Sequence, residues 1–229
     1  MASIQPFCGI SDYSKNGLIY NIDAGLYSSY SGSGTTWSDI SGNANNATLT
    51  AAPTYSQTSA AGYGSFAFNG STQYVTSAGL TIPTNFTHEV WLKSQNGVVI
   101  SENGASGYHL SNMEVVAGVM KVGYWNGSVA SSINLSTLTA GNWYHVVMTF
   151  TSPSSLVGYI NGAQSNTGTI TKSNPTSGLF YYYAHSDTTN FGSGAYFSGS
   201  IAKAAFYNRA LTASEVSQNF NYARGRFGV

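Results

Sequence analysis

Apolar and polar residues alternate with a period of two along much of the chain. The alternation is plainest in Gly64 to Phe68, where Phe66 and Phe68 share a face, and in Val119 to Trp125, where Met120, Val122 and Tyr124 oppose Lys121 and Gly123. A period of two is the repeat of a strand with one face buried. The same criterion predicts strands over 18–23, 87–93, 98–101, 144–150, 156–160, 179–184 and 201–207. Asn-Gly pairs at Asn69-Gly70, Asn96-Gly97, Asn103-Gly104, Asn126-Gly127 and Asn161-Gly162 punctuate these runs. Such pairs tolerate the positive φ of tight hairpin turns, so the expected architecture is all-β, an antiparallel sandwich.

Helical periodicity occurs once, near the C-terminal end. Thr212 is placed to cap a helix, Glu215 to reach back to it, and Leu211 and Val216 to form a hydrophobic staple. Val216, Phe220 and Ala223 then recur on one face, which predicts a single short helix packed on the edge of the sandwich. In NWYHVVMTF, alternation assigns Tyr144, Val146, Met148 and Phe150 to the core, and Trp143, His145, Val147 and Thr149 to the opposite face. His145, His88 and His109 are read as structural, because no nucleophile or ligand cluster flanks them.

Composition narrows the function classes. Of 229 residues, 42% are hydrophobic and 14% aromatic, which excludes a solvated disordered chain. Only 7% are charged, eight basic against eight acidic, so neither a nucleic-acid-binding stripe nor a basic membrane face is encoded. Cys8 is the sole cysteine and has no intramolecular partner for a disulfide. The first residues hold no apolar run of signal-peptide length, and no stretch is long enough to span a bilayer as a helix. Sequons at Asn46, Asn69, Asn85, Asn126 and Asn134 are read as turn and surface chemistry. The expected organisation is one domain over 17–229, preceded by residues 1–16 as an arm or an edge strand.

Several segments fall into a recognisable order: GLIYNIDAG, GSGTTWSDISGNANNATL, GSFAFNGSTQYV, FTHEVWLK, NWYHVVMTFTSP leading to GYINGA, and YFSGSIAKAAFYNRALTASEVSQNF. From about Gly17 to Phe227 the chain resembles the laminin-G-like branch of the concanavalin A-like lectin/glucanase superfamily. That resemblance implies a jelly roll of two stacked antiparallel sheets, with Trp37 structural. The closing FNYARGRFGV resembles the ends of lectin-like proteins encoded by tailed bacteriophages. It implies a virion component, a head decoration or tail-fibre protein made in the host cytoplasm and docked on other virion subunits. Such particles are symmetric, so homo-oligomers are expected. The alternatives are a carbohydrate-binding lectin domain of a bacterial secreted protein and a glycoside hydrolase with unrecognised acids.

Hydrolysis of a glycosidic bond by retention needs two carboxyl groups about 5 Å apart. Glu89 has Thr87 and Trp91 as its same-face neighbours, and Glu102, Glu114 and Asp187 stand alone, so the expected activity is non-catalytic. The loop from Asp39 offers oxygen ligands to calcium through Asp39, Asn43 and Asn45, with Asp23 as an additional ligand. The alternative for the same residues is an Asx-turn loop that bonds its own backbone. Sugar binding needs exposed aromatic faces beside amide and carboxylate groups. Tyr181 and Tyr183 on one face, with His185 and Asp187 following, supply both, unless those rings belong to the core or to a subunit contact. Trp125 beside Asn126, at a hairpin tip, is the second candidate.

Overall fold

The computed structural model describes residues 12–60, 63–77, 80, 83–103, 109–125, 130–170, 180–185 and 196–229. Strands dominate it. In chain order they begin with β1 (Leu18–Asp23), β2 (Thr36–Trp37), β3 (Ala47–Thr50), β4 (Thr54–Ala60), β5 (Tyr63–Ala67) and β6 (Tyr74–Ser77). Next come β7 (Phe86–Lys93), β8 (Gly97–Asn103), β9 (His109–Val116), β10 (Val119–Trp125) and β11 (Ala130–Thr137). The last are β12 (Trp143–Thr151), β13 (Ser155–Ile160), β14 (Ala163–Thr169), β15 (Phe180–Tyr183) and β16 (Ser200–Tyr207), followed by the helix α1 (Ala213–Ala223).

The strands form two eight-stranded sheets whose pairings are all antiparallel. One runs β14-β13-β12-β7-β16-β5-β4, with β1 also on β16; the other runs β11-β10-β9-β8-β15-β6-β3-β2. This is the two-layer sandwich expected from the alternation. Trp37, Phe66, Phe86, Val90, Val99, Met113, Val122, Met148, Phe150 and Phe206 meet between the sheets in one core. The two layers also touch along one side, where Asn166 Nδ2 donates to the Asn134 carbonyl at 2.8 Å. Gly158 permits that contact, because a Cβ there would lie 2.2 Å from a Leu135 methyl. Asn161 and Gly162 have φ of 50° and 76°, the twisted hairpin turn expected of an Asn-Gly pair. The pairs at 103–104 and 126–127 extend outside the described residues.

One expectation is exceeded. The face of β7 and β12 away from the core is also buried: Trp91, Trp143, His145 and Val147 lie under α1, Phe227 and Tyr13. The helix therefore roofs the outer face of the first sheet rather than packing on the sandwich edge, because Phe220 stacks on Trp91 and Asn219 reaches Glu89, both on the interior strand β7. Its N-terminus carries the expected capping box, with Thr212 Oγ1 accepting from the Glu215 amide and Glu215 accepting from the Thr212 amide.

Four of the sixteen charged residues, Asp23, Glu89, Glu102 and Lys203, are buried. Glu89 is covered by Asn219 of α1, and Glu102 faces His88 between the sheets. His145 Nε2 stands 3.1 Å from Glu89 Oε1, and Asn219 Nδ2 donates to Glu89 Oε2 at 2.7 Å. Arg226 grips Asp23 with two hydrogen bonds of 2.6 and 2.7 Å, and Lys203 Nζ donates to Asn21 Oδ1 at 2.7 Å. His145 and His88 take the structural places expected of them; the His109 side chain lies outside the described ones.

Candidate functional site

Three rings gather at one end of the second sheet. Tyr74 opens β6, where Val75 and Ser77 turn inward. β15 runs beside β6 with Tyr183 opposite Val75, and ends at Ala184, whose φ of 66° turns the chain sharply. His185 emerges from that turn, and Tyr196 is fixed by a bridge to Val98. His185 and Tyr196 stack at 4.2 Å with 18° between their planes, and Tyr74 lies 5.0 Å from His185. Gly97 lets Tyr196 sit there: its φ is 119°, and a Cβ would come within 2.2 Å of the Tyr196 carbonyl. The His185 ring is nearly buried, while Tyr74 and Tyr196 keep part of their surface exposed. Thr50 lies opposite Tyr74 in register, adding a hydroxyl beside the rings. Partly exposed aromatic surface next to hydroxyl groups is chemistry that accepts a pyranose.

The sugar candidates named from sequence divide. His185 belongs to this cluster. Tyr183 does not: it is 1% exposed and stacked on Tyr20 inside the core, with its hydroxyl pKa pushed up by burial. Alternation puts Tyr183 on one face without saying which, and the inner face is the one it takes. The side chains of Tyr181 and Trp125, together with Asn126 and Asp187, lie outside the described ones. Tyr74 and Tyr196 went unnoticed in the sequence because 122 residues separate them (196 − 74).

Glu89, Asp23, Glu102 and Glu215 are each held by partners of their own. Burial pushes the Glu89 carboxyl up, but His145, Lys203 and Asn219 outweigh it and hold it below the usual carboxylate range. Asp23 behaves alike: burial raises it, and Arg226, Lys203 and the Gly25 amide bring it below its ordinary value. Burial drives Lys203 down, against the pull of Asp23 and Glu89. Glu102 Oε1 lies 2.6 Å from His88 Nε2 with both side chains fully buried, so no substrate reaches it without opening the core. Glu215 is tied to Arg209, which holds its carboxyl down at about 2.

The calcium candidates do not fit a resident cation. Both Asp39 oxygens are occupied by donors: Oδ1 accepts from the Asn21 and Ser41 amides, Oδ2 from Ser41 Oγ and the Asn45 amide, at 2.8 to 3.0 Å. Asn43 and Asn45 turn their Nδ2 groups toward the Ile19 carbonyl, and Asp23 is committed to Arg226. These residues form the Asx-turn loop, the alternative that the sequence leaves open.

A two-sheet antiparallel sandwich with a neutral, Tyr-, Ser- and Asn-rich surface and a roofing helix defines a lectin-like β-sandwich. A laminin-G family model, described as the concanavalin A-like lectin/glucanases superfamily, matches residues 69–217, and the chain belongs to that superfamily. No curated protein matches it in sequence. Among solved structures it is similar to the binding domain of Paraclostridial Mosquitocidal Protein 1, at 15% identity and a TM-score of 0.66, covering 91% of this chain and 52% of that one. A botulinum neurotoxin type C structure gives 12% identity and a TM-score of 0.68, with 91% and 51% covered. The botulinum neurotoxin type G receptor-binding domain gives 16% and 0.65, with 90% and 51% covered. At these identities the likeness is one of fold, and this chain spans about half the length of the structures it matches.

Proposed function

We propose that this chain is a non-catalytic recognition module that binds glycans on the rim formed by Tyr74, His185 and Tyr196. The stacked rings carry the reading: they leave aromatic surface open at a sandwich end, beside Thr50. The neutral exterior supports it, because a surface of few charges suits polyhydroxylated partners that offer hydrogen bonds and C–H faces. The acids support the absence of hydrolysis, since each described buried carboxylate is engaged by a basic side chain. Similar folds keep such company: botulinum neurotoxin type C interacts with two ganglioside molecules, and the neurotoxin DC binding domain was solved in complex with rat synaptotagmin II. Glycans and a protein partner are therefore the classes to test.

The setting we propose is the surface of a bacteriophage particle, as a head-decoration or tail-fibre protein that docks on other virion subunits, and it rests on the resemblance of FNYARGRFGV. Mass spectrometry of purified particles should find the chain in stoichiometric amount, and its absence would remove that setting. Glycan-array binding tests the module itself. Retention by the wild type, lost in Tyr74→Ala with the melting temperature nearly unchanged, is the expected pattern; retention by both proteins would move the site elsewhere.

A further inference from the structure

A second concavity lies at the same end of the molecule, on the side of the first sheet. It is an open recess of about 510 Å³ lined by Lys93, Asn142, Trp143, Tyr144, Asn161 and Phe227, with Gly141, Gly228 and Val229 at its margin. The fold builds it from four directions. Lys93 ends β7, opposite both Trp143 and Ser200 in register. The chain before β12 is pinned to β7 by two backbone bonds, Ser94 amide to Asn142 carbonyl and Gly141 amide to Ser94 carbonyl. Asn161 is held in the hairpin turn by its Oδ1, which accepts from the His145 amide at 3.0 Å. Phe227 closes the last side, packed 4.0 Å from Trp91 and 5.1 Å from Trp143.

The lining has a distinctive balance of donors and acceptors. It contains no Asp or Glu side chain. Its cation, Lys93, pairs with no carboxylate among the described residues. Among the other described cations, Arg226 pairs with Asp23, Arg209 with Glu215, and Lys203 donates to Asn21. Asn161, whose Oδ1 accepts from the His145 amide, and Asn142, at an exposed position, both line the recess. An ammonium and two carboxamides around a hollow, with Trp143, Tyr144 and Phe227 as its apolar wall, match a ring that carries one carboxylate.

We infer that this recess binds the carboxylate-bearing pyranose of an acidic glycan, a uronate unit, with Lys93 as the charge partner. The inference rests on the glycan-binding reading above and gives it a ligand class. The segment from Tyr196 to Ser200 joins the two places, running from the aromatic rim to the strand pair at Lys93. A glycan chain long enough to follow it meets rings first and the ammonium second.

Isothermal titration with a galacturonate hexamer and with its carboxyl-reduced, neutral counterpart tests this. The hexamer should bind about tenfold or more tightly than the neutral form, the discrimination expected of one charge-assisted hydrogen bond. Lys93→Met should lose about the same factor, and Lys93→Arg should restore most of it. Added salt should weaken the acidic ligand alone. Equal affinity for the two oligomers, full binding by Lys93→Met, or no binding of the hexamer at millimolar concentration would each overturn the inference. Tyr74→Ala separates the readings. Neutral-glycan binding that disappears in Tyr74→Ala while the hexamer fails on the wild type sinks the recess and leaves the rim; loss of all glycan binding by the wild type sinks both.

Discussion

Two asparagine-rich places illustrate what single residues do here. Asp39 accepts four hydrogen bonds from its own loop and from β1, so its role is to organise backbone. Chelator should leave the melting temperature unchanged, whereas Asp39→Asn, which turns donors onto donors, should lower it by the equivalent of about 1–3 kcal/mol. A rise in melting temperature on adding calcium would contradict this. Asn219 joins three groups: it donates to Glu89 and to the Tyr207 hydroxyl and accepts from the Ser14 amide. Asn219→Ala strands a buried carboxylate oxygen and a buried amide, and should cost about 3 kcal/mol in denaturant unfolding. Acid should act through the same network. Glu89 and Asp23 have folded pKa values below their ordinary 4.5 and 3.8, so their contribution is present above those values and is lost as pH falls through the lower folded ones. Lys203 has its pKa lowered, so the cost of burying it is relieved only as pH climbs toward its ordinary value. Urea midpoints should therefore fall steeply below about pH 4, less so in Glu89→Gln.

At the scale of elements, the sequence was most legible where alternation met a turn signal. β1, β7, β10, β12, β13 and β16 lie within a residue or so of the expected runs, and α1 follows directly after its capping box. Thr212→Ala removes that cap and should cost about 1 kcal/mol, readable as a lower unfolding midpoint. Seven strands were missed, β2, β3, β4, β6, β9, β11 and β14, and two physical reasons account for four of them. β4 and β14 are polar edge segments, TYSQTSA and AQSNTGT, whose exposed faces give no apolar period to read. β3 and β6 are four residues long, too short for a repeat to show. The turn at Ala117-Gly118 also has positive φ at both residues, without an asparagine to announce it. The candidate site was less legible still. Its rings come from β6, the end of β15 and the bridge at Val98, three places brought together only by sheet order. Gly97 is the hinge of that arrangement, and Gly97→Ala should reduce glycan binding by displacing Tyr196, although it touches no ligand.

For the molecule as a whole, the distribution of charge joins fold to function. A chain with 7% charged residues would ordinarily spend them on its surface; here Asp23, Glu89, Glu102 and Lys203 are buried. Buried pairs are weak sources of net stability, because desolvation offsets their attraction. Outside, a few charges that balance to zero over the chain lie among hydroxyls, amides and tyrosines, a skin adaptable in contact. That skin, covering a rigid sandwich, is suited to holding a glycan without cutting it. The most direct test is an NMR titration of the intact chain with an oligosaccharide retained on the array, followed by analysis of the recovered sugar. Saturable shifts centred on Tyr74, His185 and Tyr196, with the oligosaccharide recovered whole, are the predicted result; a shortened product, or shifts that leave those three residues untouched, would contradict the account.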